Sequence, residues 1–278
     1  MVDADEVTFF HLLTHTSGLA AWRPLFEFGA DESPPPFPEQ VDAQLRARRT
    51  AQIWDRTSFA YPPGQRLVYS DLGLILLGEA TARLAGEPLD FFIRQRVLAP
   101  LGMTSITFNP RRGGAPLDNI APTEFCSWRQ RRALGEVHDE NAAGLGGVAG
   151  HAGLFATVED VTTLGQCFLN DGEVNGARIL ASQIVAQMTR EQIKLDGLAR
   201  GLGWQRKSAD GGPVCPACGP ESYGHTGFTG TSVWIDPARE LVVALLTNRV
   251  YGGRDPVGIA RFRARLHAAI INALETAE

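Results

Sequence analysis

Apolar positions recur with helical spacing through the first two thirds of the chain and give way to short strand-like runs near its end. From Thr8 to Thr16, Phe9, Leu12 and Leu13 share one face, and Ser17-Gly18 supplies a stop, which predicts a short buried helix. The run Asp31-Glu32-Ser33-Pro34-Pro35-Pro36-Phe37-Pro38 cannot continue a helix, because its prolines remove amide donors and fix φ. It reads as a surface loop, since helical patterning resumes from Glu39 to Trp54. Tyr61-Pro62-Pro63-Gly64 is a turn. The strongest helix follows, Tyr69 to Ala85, with Leu72, Ile75, Leu76, Leu77, Ala80 and Leu84 apolar and Gly86 as its stop. Another, Pro88 to Leu98, is entered through a proline and halted before Pro100-Leu101-Gly102.

Periodicity weakens from Arg111 to Gly150, which is rich in Gly, Arg and Asn, so this stretch is expected to be loop-dominated and either functional or mobile. Helical spacing returns over Val158–Leu169 and Leu180–Gln192. Strand signals then occupy Leu202–Arg206, Thr231–Ile235 and Leu241–Thr247, the last two joined by the turn Asp236-Pro237-Ala238-Arg239-Glu240. An amphipathic segment, Asp255–Leu274, closes the chain, and no internal repeat is visible. This order predicts an α+β fold: an antiparallel sheet flanked by helices, with an inserted helical lobe. With 278 residues, 44% of them hydrophobic, one large domain can build its own core. The reading is a single domain over 1–278, its helical lobe near 8–195 and its sheet and closing helix near 200–278.

Composition narrows the function classes. A net charge of −5 leaves no basic excess for a nucleic acid or an anionic membrane surface, so neither is expected as a partner. The longest apolar run, Leu72 to Leu77, falls far short of the roughly 20 residues of a membrane span. Met1 to Glu6 is acidic and lacks an export signal, so the chain as written reads as cytoplasmic. Gly144 to Gly150 lacks the strand-to-helix context and the Lys-Ser/Thr of a phosphate loop, and no cofactor is expected. Cys215-Pro216-Ala217-Cys218 has suggestive spacing, but a structural zinc usually needs a second pair or added histidines, and Cys126 and Cys167 are not such a pair. Free thiols are therefore expected ahead of a loop disulfide, and no metal.

Several residues could do chemistry. Tyr69, at the start of the strongest helix, reads either as an aromatic anchor or as a general base, a role that needs a nearby positive charge. Asp71 could bind a substrate amide, orient an amine, or simply favour the positive end of the helix. In His225-Thr226-Gly227-Phe228 the small residues let the backbone approach a ligand, and the Phe228 amide could face an oxyanion. His138-Asp139-Glu140-Asn141 and His151 offer ligands for a metal-dependent hydrolase, though their spacing matches no metal signature and loop-anchoring hydrogen bonds are the simpler reading. No nucleophile stands out: the chain has neither Ser-x-x-Lys nor Gly-x-Ser-x-Gly, and Gly230-Thr231-Ser232-Val233-Trp234 lacks the second glycine.

Taken together, His11-Leu12-Leu13-Thr14-His15-Thr16-Ser17-Gly18-Leu19, Tyr61-Pro62-Pro63-Gly64 through Tyr69-Ser70-Asp71-Leu72-Gly73, Gly147 to Phe155 and His225-Thr226-Gly227 resemble the class C β-lactamase-related serine hydrolases. That group also holds penicillin-binding DD-peptidase-like proteins and small-ester hydrolases. The resemblance implies the β-lactamase/DD-peptidase-like fold, with Tyr69 as the tyrosine that exchanges protons with a Ser-Lys pair and Asp71 where Asn is common. It further implies that His225, Thr226 and Gly227 line the opposite wall, that Phe228 N–H is half of the oxyanion hole, and that His151 lies in a substrate-facing loop. A small-molecule ester, a lactam or a peptide-like amide is the implied substrate. Asp71 weakens the lactam and amide reading, since an ionised carboxylate only accepts hydrogen bonds. His225 in place of Lys removes a permanent cation, which leans toward esters or amidated substrates. In the family, a Ser-x-x-Lys helix and opening strands precede the His-Leu-Leu-Thr-His-Thr-Ser-Gly segment, so the expected fold lacks those parts and the expected activity is little or none. A late start codon or a shortened gene is the favoured explanation, ahead of a ligand-binding pseudoenzyme.

Overall fold

Capping chemistry sets where the helices of the first part begin and end. The computed structural model describes residues 6–27, 37–207 and 215–276. Residues 31–36 of the expected proline loop, and 1–5 of the acidic N-terminus, lie outside the described residues. The chain divides into two compact units, Met1–Ala156 and Thr157–Glu278.

In the first unit, α1 (Phe9–Leu13) stops short of its expected end. Thr14 caps it, and His15 takes φ 58°, turning the chain so that Thr14, His15, Thr16 and Ser17 are all buried. Helix α2 (Ala43–Arg56) starts where the Asp42 carboxylate accepts from Leu45 N at 2.7 Å. Helix α3 (Asp71–Ala85) starts where Ser70 Oγ accepts from Gly73 N at 3.1 Å, and Gly86 ends it at φ 70°. Tyr69 therefore precedes the helix rather than opening it, because Ser70 takes the cap. Helix α4 (Leu89–Ile93) runs on into a wider π turn over Arg94–Leu98.

The segment expected to be loop-dominated, Arg111 to Gly150, carries β2 (Phe125–Cys126), β3 (Arg131–Arg132) and α5 (Glu140–Gly144), and it is flanked by β1 (Thr107–Phe108) and β4 (Leu154–Phe155). Strands β1 and β4 pair antiparallel, as do β2 and β3. Polar side chains, together with the buried Val137, Ala142, Ala143, Leu145 and Ala149, hold the segment. Arg129 donates to the Val137, His138 and Asp139 carbonyls at 2.8, 3.1 and 3.1 Å, and Glu136 receives both arms of Arg131 at 2.7 and 2.8 Å. Arg129 and Glu136 are buried, and the Arg129 bonds satisfy carbonyls at 137–139 that lie outside any strand ladder. Leu12, Leu19, Ile53, Leu72, Ile75, Leu76 and Leu145 form the core beneath.

The second unit opens with α6 (Val158–Leu169), where Thr157 and Asp160 cap one another's amides reciprocally. A hairpin, β5 (Glu173–Val174) with β6 (Ala177–Arg178), and then α7 (Ser182–Thr189) follow. The sheet is built from β7 (Ile193–Leu195), β8 (Leu198–Arg200), β9 (Gln205–Arg206), β10 (Tyr223–Thr226), β11 (Ser232–Asp236) and β12 (Leu241–Leu245). Among the described residues it is antiparallel throughout, in the order β12-β11-β10-β9-β8-β7. His225 sits within β10, opposite Val233. Helix α6 packs on β11 and β12, Phe168, Trp204, Tyr223 and Ile235 fill the core, and α8 (Val257–Glu275) closes the chain. Mixed helices and antiparallel sheet match the expected α+β class. Among the described residues no helix is long and apolar enough to cross a membrane.

Candidate active site

In the first unit, two glycines bring the chemistry together. Gly150 lies so close to α3 that a Cβ there would sit 2.1 Å from the Leu74 carbonyl oxygen, and one on Gly78 would sit 2.8 Å from Gly150 N. The loop carrying His151 is thereby pressed against the helix that Asp71 begins. His151 Nε2 bonds Asp139 Oδ1 at 2.7 Å, and Asp139 also caps α5 by accepting from Ala142 N at 2.7 Å. The His151 side chain is only 2% exposed, and its Nδ1 is buried without a hydrogen-bond partner among the described residues.

Electrostatics follow from this packing. Burial pushes the Asp71 carboxyl up, the Asp139 charge adds to that, and His151 together with a hydrogen bond from Tyr69 opposes it; the net direction is upward. For Asp139, burial also acts upward, but the hydrogen bond and charge of His151 and the Ala142 amide outweigh it and the carboxyl sits below its ordinary value. Burial acts to lower His151, yet Asp139 and then Asp71 overcome it and the imidazole sits above its ordinary value. Tyr69, partly exposed, stacks on His15 with ring centroids 4.4 Å apart, and His15 Nδ1 accepts from Ser70 N at 3.1 Å. The turn of His-Thr-Ser-Gly is thus the bracket that positions the Tyr-Ser-Asp segment.

In the second unit, His225 Nδ1 faces the Thr226 carbonyl at 2.9 Å. A carbonyl only accepts, so Nδ1 carries the proton and Nε2 turns its lone pair toward Arg200 Nη1 at 3.5 Å. Burial first, and then the Arg200 charge, push His225 down to about 4 against the Thr226 bond, which keeps the ring neutral at neutral pH. The expectation from residue 225 alone was a site without a permanent cation. Arg200, buried on β8, supplies one. The following turn is tight: Gly227 N donates to the Thr231 carbonyl at 2.7 Å, and Arg263 donates to the Gly227 and Thr231 carbonyls at 3.0 and 2.6 Å. The Phe228 ring is exposed beneath the Arg249 guanidinium at 4.4 Å, and its carbonyl accepts from Arg249 Nε at 2.6 Å.

Residues 2–268 match the family model described as Beta-lactamase. The chain belongs to the beta-lactamase family. Its relatives include the "Putative D-alanyl-D-alanine carboxypeptidase" of Escherichia coli (strain K12), 34% identical over an alignment of 217 positions that covers 72% of this chain and 49% of that protein. The protein of the same name from Salmonella typhi is 34% identical over 216 residues, with the same shares. The chain spans about half the length of these curated relatives. Its fold resembles that of a beta-lactamase (Mb2281c) from Mycobacterium bovis, with TM-score 0.62 and 21% identity, covering 96% of this chain and 74% of that one. It also resembles an octameric penicillin-binding protein homologue from Pyrococcus abyssi, with TM-score 0.63 and 21% identity over 95% of this chain and 56% of that one. A mutant of simvastatin synthase from Aspergillus terreus gives TM-score 0.66 at 20% identity, over 98% of this chain and 67% of that one.

Within this beta-lactamase family chain, the structure gathers Tyr69, Asp71 and His151 in one unit and His225, Thr226, Gly227 and Phe228 in the other. Asp139, Arg200 and His15 went unassigned in the sequence. Asp139 was visible only as part of a possible metal set, and Arg200 carried no signal, since its value lies in a strand alignment across β8 and β9. The two histidines weighed as metal ligands each pair with a carboxylate, His138 with Glu124 at 2.7 Å and His151 with Asp139 at 2.7 Å.

Proposed function

We propose that this chain carries the proton-handling and substrate-holding parts of an acyl-transfer site for an ester, a β-lactam or a peptidoglycan-like amide. The observation that carries the reading is the Tyr69 hydroxyl held by Asp71, with the Asp139–His151 pair behind it. As an attacking hydroxyl gives its proton to the Tyr69 oxygen, the phenolic proton passes to Asp71, a carboxyl whose raised affinity for protons suits it to receive one. His151 Nδ1, buried and unpartnered among the described residues, is the polar contact left for substrate or water. In the second unit the turn from Thr226 to Phe228 offers the Phe228 amide to a carbonyl oxygen, and Arg200 beside His225 makes a substrate carboxylate acceptable.

Proton relays need a nucleophile, and the 278 residues contain no Ser-x-x-Lys. Removing a nucleophile abolishes nearly all acyl-transfer turnover, so these residues alone bind substrate-like ligands without turning them over. Two measurements on the purified chain test this. Nitrophenyl acetate should give no burst and a fluorophosphonate no stoichiometric label, while a peptide ending in a free D-alanine carboxylate should bind saturably and about tenfold tighter than its amide. Stoichiometric labelling overturns the lack of turnover; equal or absent binding of the two peptides overturns the assigned substrate contacts.

A further inference from the structure

Cys215 and Cys218 are bonded to one another, with Cα atoms 5.4 Å apart, which corrects the expectation of free thiols. The bonded pair does not lie on the surface. Both cysteines are buried, and His267, far along the chain on α8, is buried against them with Nδ1 at 3.9 Å from Cys218 Sγ. Sulfur and imidazole donors of the three residues all lie within 4.8 Å of one another, and among the described residues this is the one group of cysteine, histidine or carboxylate ligands so gathered. Around a tetrahedral ion with Zn–S near about 2.3 Å and Zn–N near about 2.0 Å, sulfur and nitrogen stand roughly 3.5 Å apart. The 3.9 Å between Cys218 Sγ and His267 Nδ1 is close to that spacing, and reduction lets the two sulfurs part to the roughly 3.8 Å that two thiolate ligands need.

We propose that Cys215, Cys218 and His267 form a binding site for a borderline divalent ion of the zinc class, open when the Cys215–Cys218 bond is reduced. The ligand missing from the sequence expectation is the histidine, supplied by a helix rather than by a second cysteine pair. The surroundings are those of a held site. Asp236 Oδ2 accepts from Gly219 N at 2.8 Å, tying the residue after Cys218 to β11. Asp236 Oδ1 and His267 Nε2 are both buried without partners among the described residues, and both residues line one small cavity with Cys218, Trp234 and Ile271. A histidine that ligates through Nδ1 presents Nε2–H to an acceptor, and the carboxylate oxygen on the same cavity is such an acceptor. Three protein donors leave the fourth position to water.

The two states exclude each other chemically. A dithiol reductant gives two electrons and two protons to the disulfide, leaving as its own disulfide and generating two thiols. Ion binding then releases both thiol protons to solvent as the sulfurs become thiolate ligands. Either the covalent bond or the ion closes the segment around Cys218, and the ion also ties it to α8.

Cobalt(II) is the probe. The full chain, reduced with a phosphine and desalted under nitrogen, should take up about one cobalt ion and develop thiolate-to-cobalt charge-transfer bands with tetrahedral d–d bands. The oxidised chain and the Cys215→Ser/Cys218→Ser variant should show neither. His267→Gln should weaken binding at least about tenfold, as loss of a ligand does. Because a variant can misfold, zinc protection of Cys215 and Cys218 from alkylation, read by peptide mass in the unmutated reduced chain, is the second measurement. Cobalt bands equal in reduced chain and double-serine variant, or alkylation indifferent to zinc, overturn the site.

Discussion

Asp139 and His151 show how one contact can make opposite demands on pH. His151 is raised, so its contribution is complete below its ordinary value of about 6.5 and is lost as pH rises through the higher folded value. Asp139 is lowered, so its contribution is present above about 3.9 and is lost as pH falls through the folded value. The pair is therefore worth most between about pH 4 and 6.5. His151→Gln is expected to lower stability by about 1–3 kcal/mol in that window and by less above it, read from urea titrations at several pH values. A difference that grows with alkalinity contradicts the assignment. His225 behaves in the reverse sense from His151: depressed to about 4, it stabilises the fold above about 6.5, and that stability drains away as pH falls toward 4. Imidazole NMR shifts should find His225 neutral at pH 5 with His151 already protonated; a His225 midpoint near the ordinary value refutes its burial beside Arg200.

Helix α3 is an element whose ends were written in local code and whose partner was not. Ser70 and Gly86 mark its limits by hydrogen bonding and left-handed φ, and both are readable from residue type. Gly78 and Gly150 are not: one looks like an ordinary weak spot in a helix, the other like loop filler. Alanine in a helix interior normally gains about 0.5–1 kcal/mol over glycine. Here the opposite sign is expected. Gly78→Ala and Gly150→Ala should each cost about 1–3 kcal/mol, because a methyl group meets backbone that cannot swing away, and chemical denaturation will give the sign directly. The segment from Arg111 to Gly150 was illegible for a related reason. Part of its order comes from Arg129 bonding irregular backbone and from the Arg131–Glu136 side-chain pair, which leave no period of 3.6 or 2 to detect.

At the scale of the whole molecule, the sheet formed by the described residues ends in β12, whose sequence Leu241-Val242-Val243-Ala244-Leu245 holds no charge, proline or glycine to discourage pairing. Reversible pairing of two copies through that edge is expected at high concentration; sedimentation velocity across a dilution series tests it, and one monomeric boundary throughout excludes it. The sequence by itself determined the helices whose caps are local, the β11–β12 hairpin, the α+β class and the family, because each rests on residues near one another in the chain or on ordered motifs. Only the tertiary structure decided the chemistry. Asp139 reaches His151 across 12 residues, Arg200 reaches His225 across 25 and Cys218 reaches His267 across 49. Such meetings depend on strand register, on glycines that let backbones touch and on which buried polar groups find partners, and none of these repeats along a sequence with a period that can be read.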